Sequence, residues 1–208
     1  LFDPISYNFE MPLVLVTPAK KGIKTLAELL HYAKSNSLSY GSGSIGTIGH
    51  LTSELLKIKT GIDAINIPYT SNGNAMVDLL SGRLDFYFTT SVDAYARVKN
   101  GELNALAITT KKQDTNLPNT PTMQELGYQD IDSVVSWGYM VPKGTDINII
   151  KTYQQAISKV LKGKVIKENL EKMGIILVDG DDKMLQQKIK DENLKWAEIV
   201  RNEKIEVK

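Results

Sequence analysis

The chain has 208 residues, with 25 Lys plus Arg against 24 Asp plus Glu and a formal net charge of +1. Near-neutral charge gives no overall field toward nucleic acid or acidic lipid, and no apolar run approaches the roughly 18 residues of a membrane span, so neither a nucleic-acid partner nor direct membrane insertion is expected. The absence of cysteine removes disulfides, thiolate nucleophiles and cysteine metal sites together, and with only His31 and His50 as imidazoles no metal or other cofactor is expected.

The elements follow in chain order. Leu1 to Pro12 shows no clear periodicity, and Pro12 to Pro18 is an apolar strand closed by proline. Thr25 with Glu28 forms a capping box for a helix whose apolar face is Leu26, Leu29, Leu30 and Ala33. Ser39-Tyr40 leads into Gly41-Ser42-Gly43-Ser44-Ile45-Gly46-Thr47, and a helix from His50 to Lys59 ends at Gly61. Strands over 64–69, 84–89 and 105–109 alternate with helices over 74–80 and 92–99, which predicts a parallel or mostly parallel α/β sheet. Residues 113–121 read as a connection. Thr122 with Glu125 is a second capping box, for a short helix ending at Gly127. An apolar strand over 134–141 surrounds Trp137, expected to be a packing residue. Helices over 146–161, 165–173 and 183–201 follow, with a strand over 175–178 between the last two.

The segment Gly41 to Thr47 carries the most chemistry. Glycines let the backbone turn its N–H groups inward, Ser42, Ser44 and Thr47 add hydroxyls, and the following helix supplies unpaired N–H groups and a positive dipole end. A strand, a Gly/Ser loop and a helix make a seat for a carboxylate or phosphate. Gly41-x-Gly43-x-x-Gly46 also matches the dinucleotide fingerprint, but the next strand ends in Pro68-Tyr69 without the acidic residue that would hold a ribose. No Lys-Ser or Lys-Thr closes the loop as in a Walker A motif. Ser42 or Ser44 with His50 lacks both the G-x-S-x-G elbow and an orienting acid, so no catalytic residue is expected. His50 reads as a capping or packing residue facing the loop. Tyr69 is either a half-buried rim residue or a ligand contact. Thr89, Thr90 and Ser91 end the next strand and give a second cluster of donors at the same sheet edge.

These residues resemble a known family. Tyr40-Gly41-Ser42-Gly43-Ser44-Ile45-Gly46-Thr47-x-x-His50-Leu51 is similar to the Gly/Ser loop of the tripartite tricarboxylate transporter solute receptors, the Bug or TctC proteins. Ile67-Pro68-Tyr69, Asp78-Leu79-Leu80-Ser81-Gly82-Arg83-Leu84-Asp85, Asn100 to Ala107, Leu117 to Gly127, Trp137-Gly138 and Pro142-x-Gly144-Thr145 resemble further family motifs in the same order. The resemblance implies a periplasmic-binding-protein type II-like α/β fold with two lobes and an interlobe cleft. It implies an exported, non-enzymatic receptor that captures a small carboxylate and delivers it to two membrane subunits of a transporter.

Under that resemblance the ligand-binding residues are Ser42, Gly43, Ser44, Ile45, Gly46, Thr47, His50, Tyr69 and Thr90. Residues 1–18 would be a remnant of lobe I with the first crossover, 19–110 lobe II, and 111–208 the return to lobe I with the C-terminal helices. Crossovers would fall near residues 16–18 and 108–110. The family's opening strand, glycine-rich loop and first helices have no counterpart here, so the first lobe would be incomplete. Ser71 stands where the family usually has glycine. An effector-binding domain of a transcription regulator, which shares the two-lobed fold, is the alternative function.

Overall fold

The computed structural model describes residues 1–202, 204 and 205. Residues 1–11 with 135–198 form one compact unit, and residues 12–134 with 199–202, 204 and 205 form another. The boundaries of these units fall at 11/12 and 134/135. The reason is packing: Val14, Val16, Ile108 and Leu117 share one buried cluster with Met76, Leu79 and Tyr87, so these segments belong to one core.

The larger unit is built on strand β1 (Phe2–Pro18, from Pro12 onward), β2 (Leu38–Ser42), β3 (Ala64–Pro68), β4 (Phe86–Thr90) and β5 (Leu103–Ile108), in the order β3-β2-β4-β1-β5. β2 is parallel to β3 and β4, whereas β1 runs antiparallel to β4 and β5. The expected parallel sheet thus carries one antiparallel strand. Helices α1 (Leu26–Ala33), α2 (Ile48–Thr60), α3 (Asn72–Ser81) and α4 (Ser91–Lys99) connect or flank these strands. The capping box at Thr25 and Glu28 forms at both ends, and Leu26 and Leu29 are the buried residues of α1. Gly61 ends α2 in the left-handed region at φ 71°, where a Cβ would be strained.

Thr122 and Glu125 also exchange both capping bonds, 3.0 Å and 2.8 Å. The segment they open is a turn closed by Gly127 at φ 89°, not a helix. A capping box satisfies the first N–H groups of a turn whether or not further turns follow; propagation needs an apolar face longer than this segment has.

The smaller unit pairs the first part of β1 with β6 (Val134–Pro142) and β7 (Ile176–Asp181), and adds α5 (Ile147–Leu161), α6 (Lys164–Lys172) and most of α7 (Asp182–Asn202). β1 runs antiparallel to β7 with a register shift between Tyr7 and Phe9. Such an irregularity breaks the alternation of faces, which is why residues 2–11 show no strand period in the sequence. Trp137, expected to pack, is 56% exposed. Its neighbour explains its placement: a Cβ on Gly138 would lie 2.6 Å from the Ser6 carbonyl oxygen and 2.7 Å from Leu185, so β6 presses its backbone onto β1 at that point. No helix among the described residues is long and apolar enough to cross a membrane.

Candidate functional site

Parallel strands β2, β3 and β4 all end at one edge of the sheet, and helices α2, α3 and α4 begin there. Ligand seats of α/β sheets lie at such carboxyl edges because the helix N-termini converge on them. Gly41 pairs with both Ile67 and Tyr87, and the Tyr69 N–H donates to the Ser42 carbonyl at 2.8 Å, which pins the ends of β2 and β3 together.

The Gly/Ser loop is braced from within. The Thr47 hydroxyl donates to the Ser44 carbonyl at 2.7 Å, the Thr47 N–H reaches the same oxygen at 3.4 Å, and the Gly46 N–H donates to His50 Nδ1 at 3.2 Å. Gly46 sits at φ 79°, a conformation that calls for glycine. Two of the loop's N–H groups are therefore spent inside the loop. Thr47 is the N-cap of α2 yet makes no side-chain cap bond, so the first turn of α2 keeps its N–H groups for another acceptor. That turn is pressed on β4: a Cβ on Gly49 would stand 3.2 Å from the Phe88 carbonyl. Ser44 and Ile45 are exposed, while the Ser42 hydroxyl is fully buried and has no hydrogen-bond partner.

Beneath the loop lies an aromatic stack. Phe86 stacks on Tyr40 at 5.3 Å, and Tyr40 on His50 at 6.4 Å. The Tyr40 hydroxyl donates to Glu54, which pairs with Lys57 at 2.9 Å. Burial, then the Glu54 bond, push the Tyr40 phenol far above its usual range, so it stays a donor. His50 is buried and its pKa is lowered, chiefly by desolvation, with Glu54 opposing and Lys57 adding to the shift. The imidazole is thus neutral at neutral pH, and Nδ1 can accept from Gly46.

This gives a pH prediction. Below about pH 6.5, the unperturbed histidine value, the unfolded chain takes up a proton that folded His50 resists. The folded state therefore loses stability as pH falls below that value, and protonation at Nδ1 removes the Gly46 bond. Urea midpoints of the wild type and His50→Gln between pH 7.5 and 5 check it: the wild type is expected to fall more steeply, and parallel curves would refute it.

The remaining expected residues lie at the same edge. Tyr69 donates to Asp78 at 2.8 Å, and burial followed by that carboxylate raises its pKa to about 12. Asp78, held below the usual carboxylate range by the Tyr69 bond and by Arg83, also pairs with that guanidinium at 2.8 Å. Tyr69 is therefore anchored by its hydroxyl, and its ring packs against the buried cluster. Thr90 is the N-cap of α4, again without a side-chain cap bond, and its hydroxyl reaches Asp93 at 3.3 Å. Ser71, at the place of the family's glycine, caps α3 by accepting from the Asn74 N–H, at an extended φ of −152° that needs no glycine. The sequence reading missed Asn72 and Tyr87. The Tyr87 hydroxyl donates to Asn72 Oδ1 at 2.9 Å, and that same oxygen lies 2.9 Å from where a Gly43 Cβ would be. Among the described residues no cluster of three or more His, Cys, Asp or Glu could hold a metal ion.

The family model described as "Tripartite tricarboxylate transporter family receptor", TctC, matches residues 2–205. The chain is 32% identical to protein BugT of Bordetella pertussis over 200 residues, covering 95% of this chain and 61% of BugT. It spans about three-fifths of the length of the curated relatives it matches. Among solved structures it is similar to the periplasmic binding protein BugD, with a TM-score of 0.93 and 26% identity over 99% of this chain and 70% of that one. The R. palustris protein Rpa4515, solved with adipate, has the same fold, with a TM-score of 0.92 and 24% identity over 98% of this chain and 69% of its own. A mixed α/β fold of the periplasmic-binding-protein kind, a matching receptor model and the ordered motifs agree: the chain belongs to the tripartite tricarboxylate transporter family receptors.

Proposed function

We propose that the chain is part of an extracytoplasmic receptor that captures a small carboxylate without transforming it and passes it to the membrane subunits of a tripartite tricarboxylate transporter. One observation carries the reading: an uncapped α2 N-terminus stands behind a Gly/Ser loop at the edge where three parallel strands end. One ligand carboxylate is received by the first turn of α2 and by the loop from Gly43 to Ile45, of which Ser44 and Ile45 are exposed. Charge-assisted hydrogen bonds of this kind are worth roughly 1.5–3 kcal/mol each. Thr47, Gly46 and His50 hold the loop in shape, Tyr69 and Thr90 flank it, and Ser42 lies under it.

No lysine or arginine lies in the segment 41–50, so dipoles and N–H groups would neutralise the anion. That suits a carrier, because a ligand held without a full counter-charge is released as readily as it is caught. The adipate bound by Rpa4515, a dicarboxylate, supports the ligand class. Export to the periplasm follows from the same reading.

Titration of di- and tricarboxylates by calorimetry tests the proposal. Replacing Ser44 and Thr47 together by alanine removes one exposed hydroxyl and the brace on the Ser44 carbonyl. Affinity is expected to drop about tenfold or more, the worth of one charge-assisted bond. Unchanged affinity would take the loop out of the site.

A further inference from the structure

The Tyr87–Asn72–Gly43 contact has no role in the carboxylate seat as described so far, and it lies at the same edge. Asn72 is the first residue of α3, exposed, and its side-chain oxygen rests against the start of the Gly/Ser loop. A Cβ on Gly43 would come within 2.9 Å of that oxygen, so glycine at 43 is what lets the loop and the amide approach so closely. Tyr87, 3% exposed, comes up from β4 and donates to the same oxygen at 2.9 Å. Its phenol is raised to about 12, mainly by burial and then by Asp93, which keeps the proton on the hydroxyl.

A side-chain amide has an accepting and a donating end. Here the accepting end takes the Tyr87 O–H, which leaves the NH2 as the end available to other groups. The geometry points to Asn72 as a ligand-contacting residue: its NH2, oriented by Tyr87 as the positioning residue, donates to an oxygen of the carboxylate ligand seated on the neighbouring loop. This rests on the proposed function, since it assigns a second wall to the same seat.

Asn72→Asp tests it. The substitution keeps the shape and an oxygen to accept from Tyr87, but turns the donating end into a charged acceptor. A purely structural Asn72 would tolerate that change. A ligand-facing one would not: affinity for carboxylates is expected to fall about tenfold or more and to stay lowered in 0.5 M salt, whereas repulsion from a charge that does not touch the ligand is screened there. Tyr87→Phe, which frees the amide without adding charge, is expected to weaken binding several-fold and serves if the aspartate variant does not fold.

Calorimetry on the 208-residue chain with citrate, malate, succinate and adipate separates the outcomes. Wild-type binding that both variants leave intact overturns the role of Asn72 while the receptor reading stands. Wild-type binding to none of the four removes the carboxylate seat from this chain, and this inference with it. Weaker binding by folded Asn72→Asp that persists in 0.5 M salt is the expected result, and a loss that vanishes in 0.5 M salt overturns the contact.

Discussion

Phe86→Ala is expected to cost the larger unit about 3–5 kcal/mol, the usual range for truncating a fully buried aromatic, and to loosen the proposed carboxylate seat with it. Phe86 is 0% exposed in the middle of the sheet, where β4 pairs with β2 at Tyr40. Removing its ring takes away the floor on which Tyr40 stacks at 5.3 Å, and Tyr40 in turn backs His50, whose Nδ1 holds the Gly46 N–H. The loss should appear both as a lower denaturant midpoint and as weaker carboxylate binding under conditions where the variant is still folded. Phe86→Leu, which keeps most of the volume, separates the two effects: stability should recover largely while the stack, and part of the affinity, stays lost. If Phe86→Ala lowers stability but binds carboxylates as the wild type does, the aromatic stack does not support the loop.

Gly138→Ala is expected to destabilise the smaller unit by about 3 kcal/mol, at the upper end of what overpacking costs. The added methyl would meet the Ser6 carbonyl oxygen at 2.6 Å and the Leu185 methyls at 2.7 Å and 2.9 Å. Side-chain methyls can rotate away; a carbonyl fixed in the β1 backbone cannot, so β6 itself must move. Hydrogen exchange resolves the effect by region. Amides of β6, β7 and the early part of β1 should lose protection, while those of β2, β3 and β4 keep theirs. Loss of protection across the whole chain would mean that the two compact units do not unfold separately, and unchanged protection would mean that β6 has room to shift.

Local chemistry explains where the sequence reading and the structure agree. Thr25 with Glu28 and Gly61 mark helix ends through bonds within a few residues, and α1 and α2 begin or end where those residues stand. The alternation of apolar strands with amphipathic helices between residues 38 and 108 is likewise local, and it produced the α/β sheet. Other features depend on partners far away in sequence. The strand over residues 2–11 is hidden because its ladder with β7 shifts register between Tyr7 and Phe9. The same distance hides Asn72, whose meaning comes from Tyr87, 15 residues later, and from the space left by Gly43. Trp137 looked like a core residue because tryptophan is large and apolar; its exposure is set by the approach of Gly138 to β1, which a single segment cannot reveal.

By itself, then, the amino-acid order determined the family, the α/β character, and a Gly/Ser loop capped by a helix, because glycine, hydroxyl and capping residues act within a turn of chain. Only tertiary structure decided how that loop is used. It buried the Ser42 hydroxyl, brought Asn72 beside Gly43 and set the Tyr87 hydroxyl against that amide. Those outcomes depend on which strand lies next to which, and strand neighbours are chosen by long-range packing.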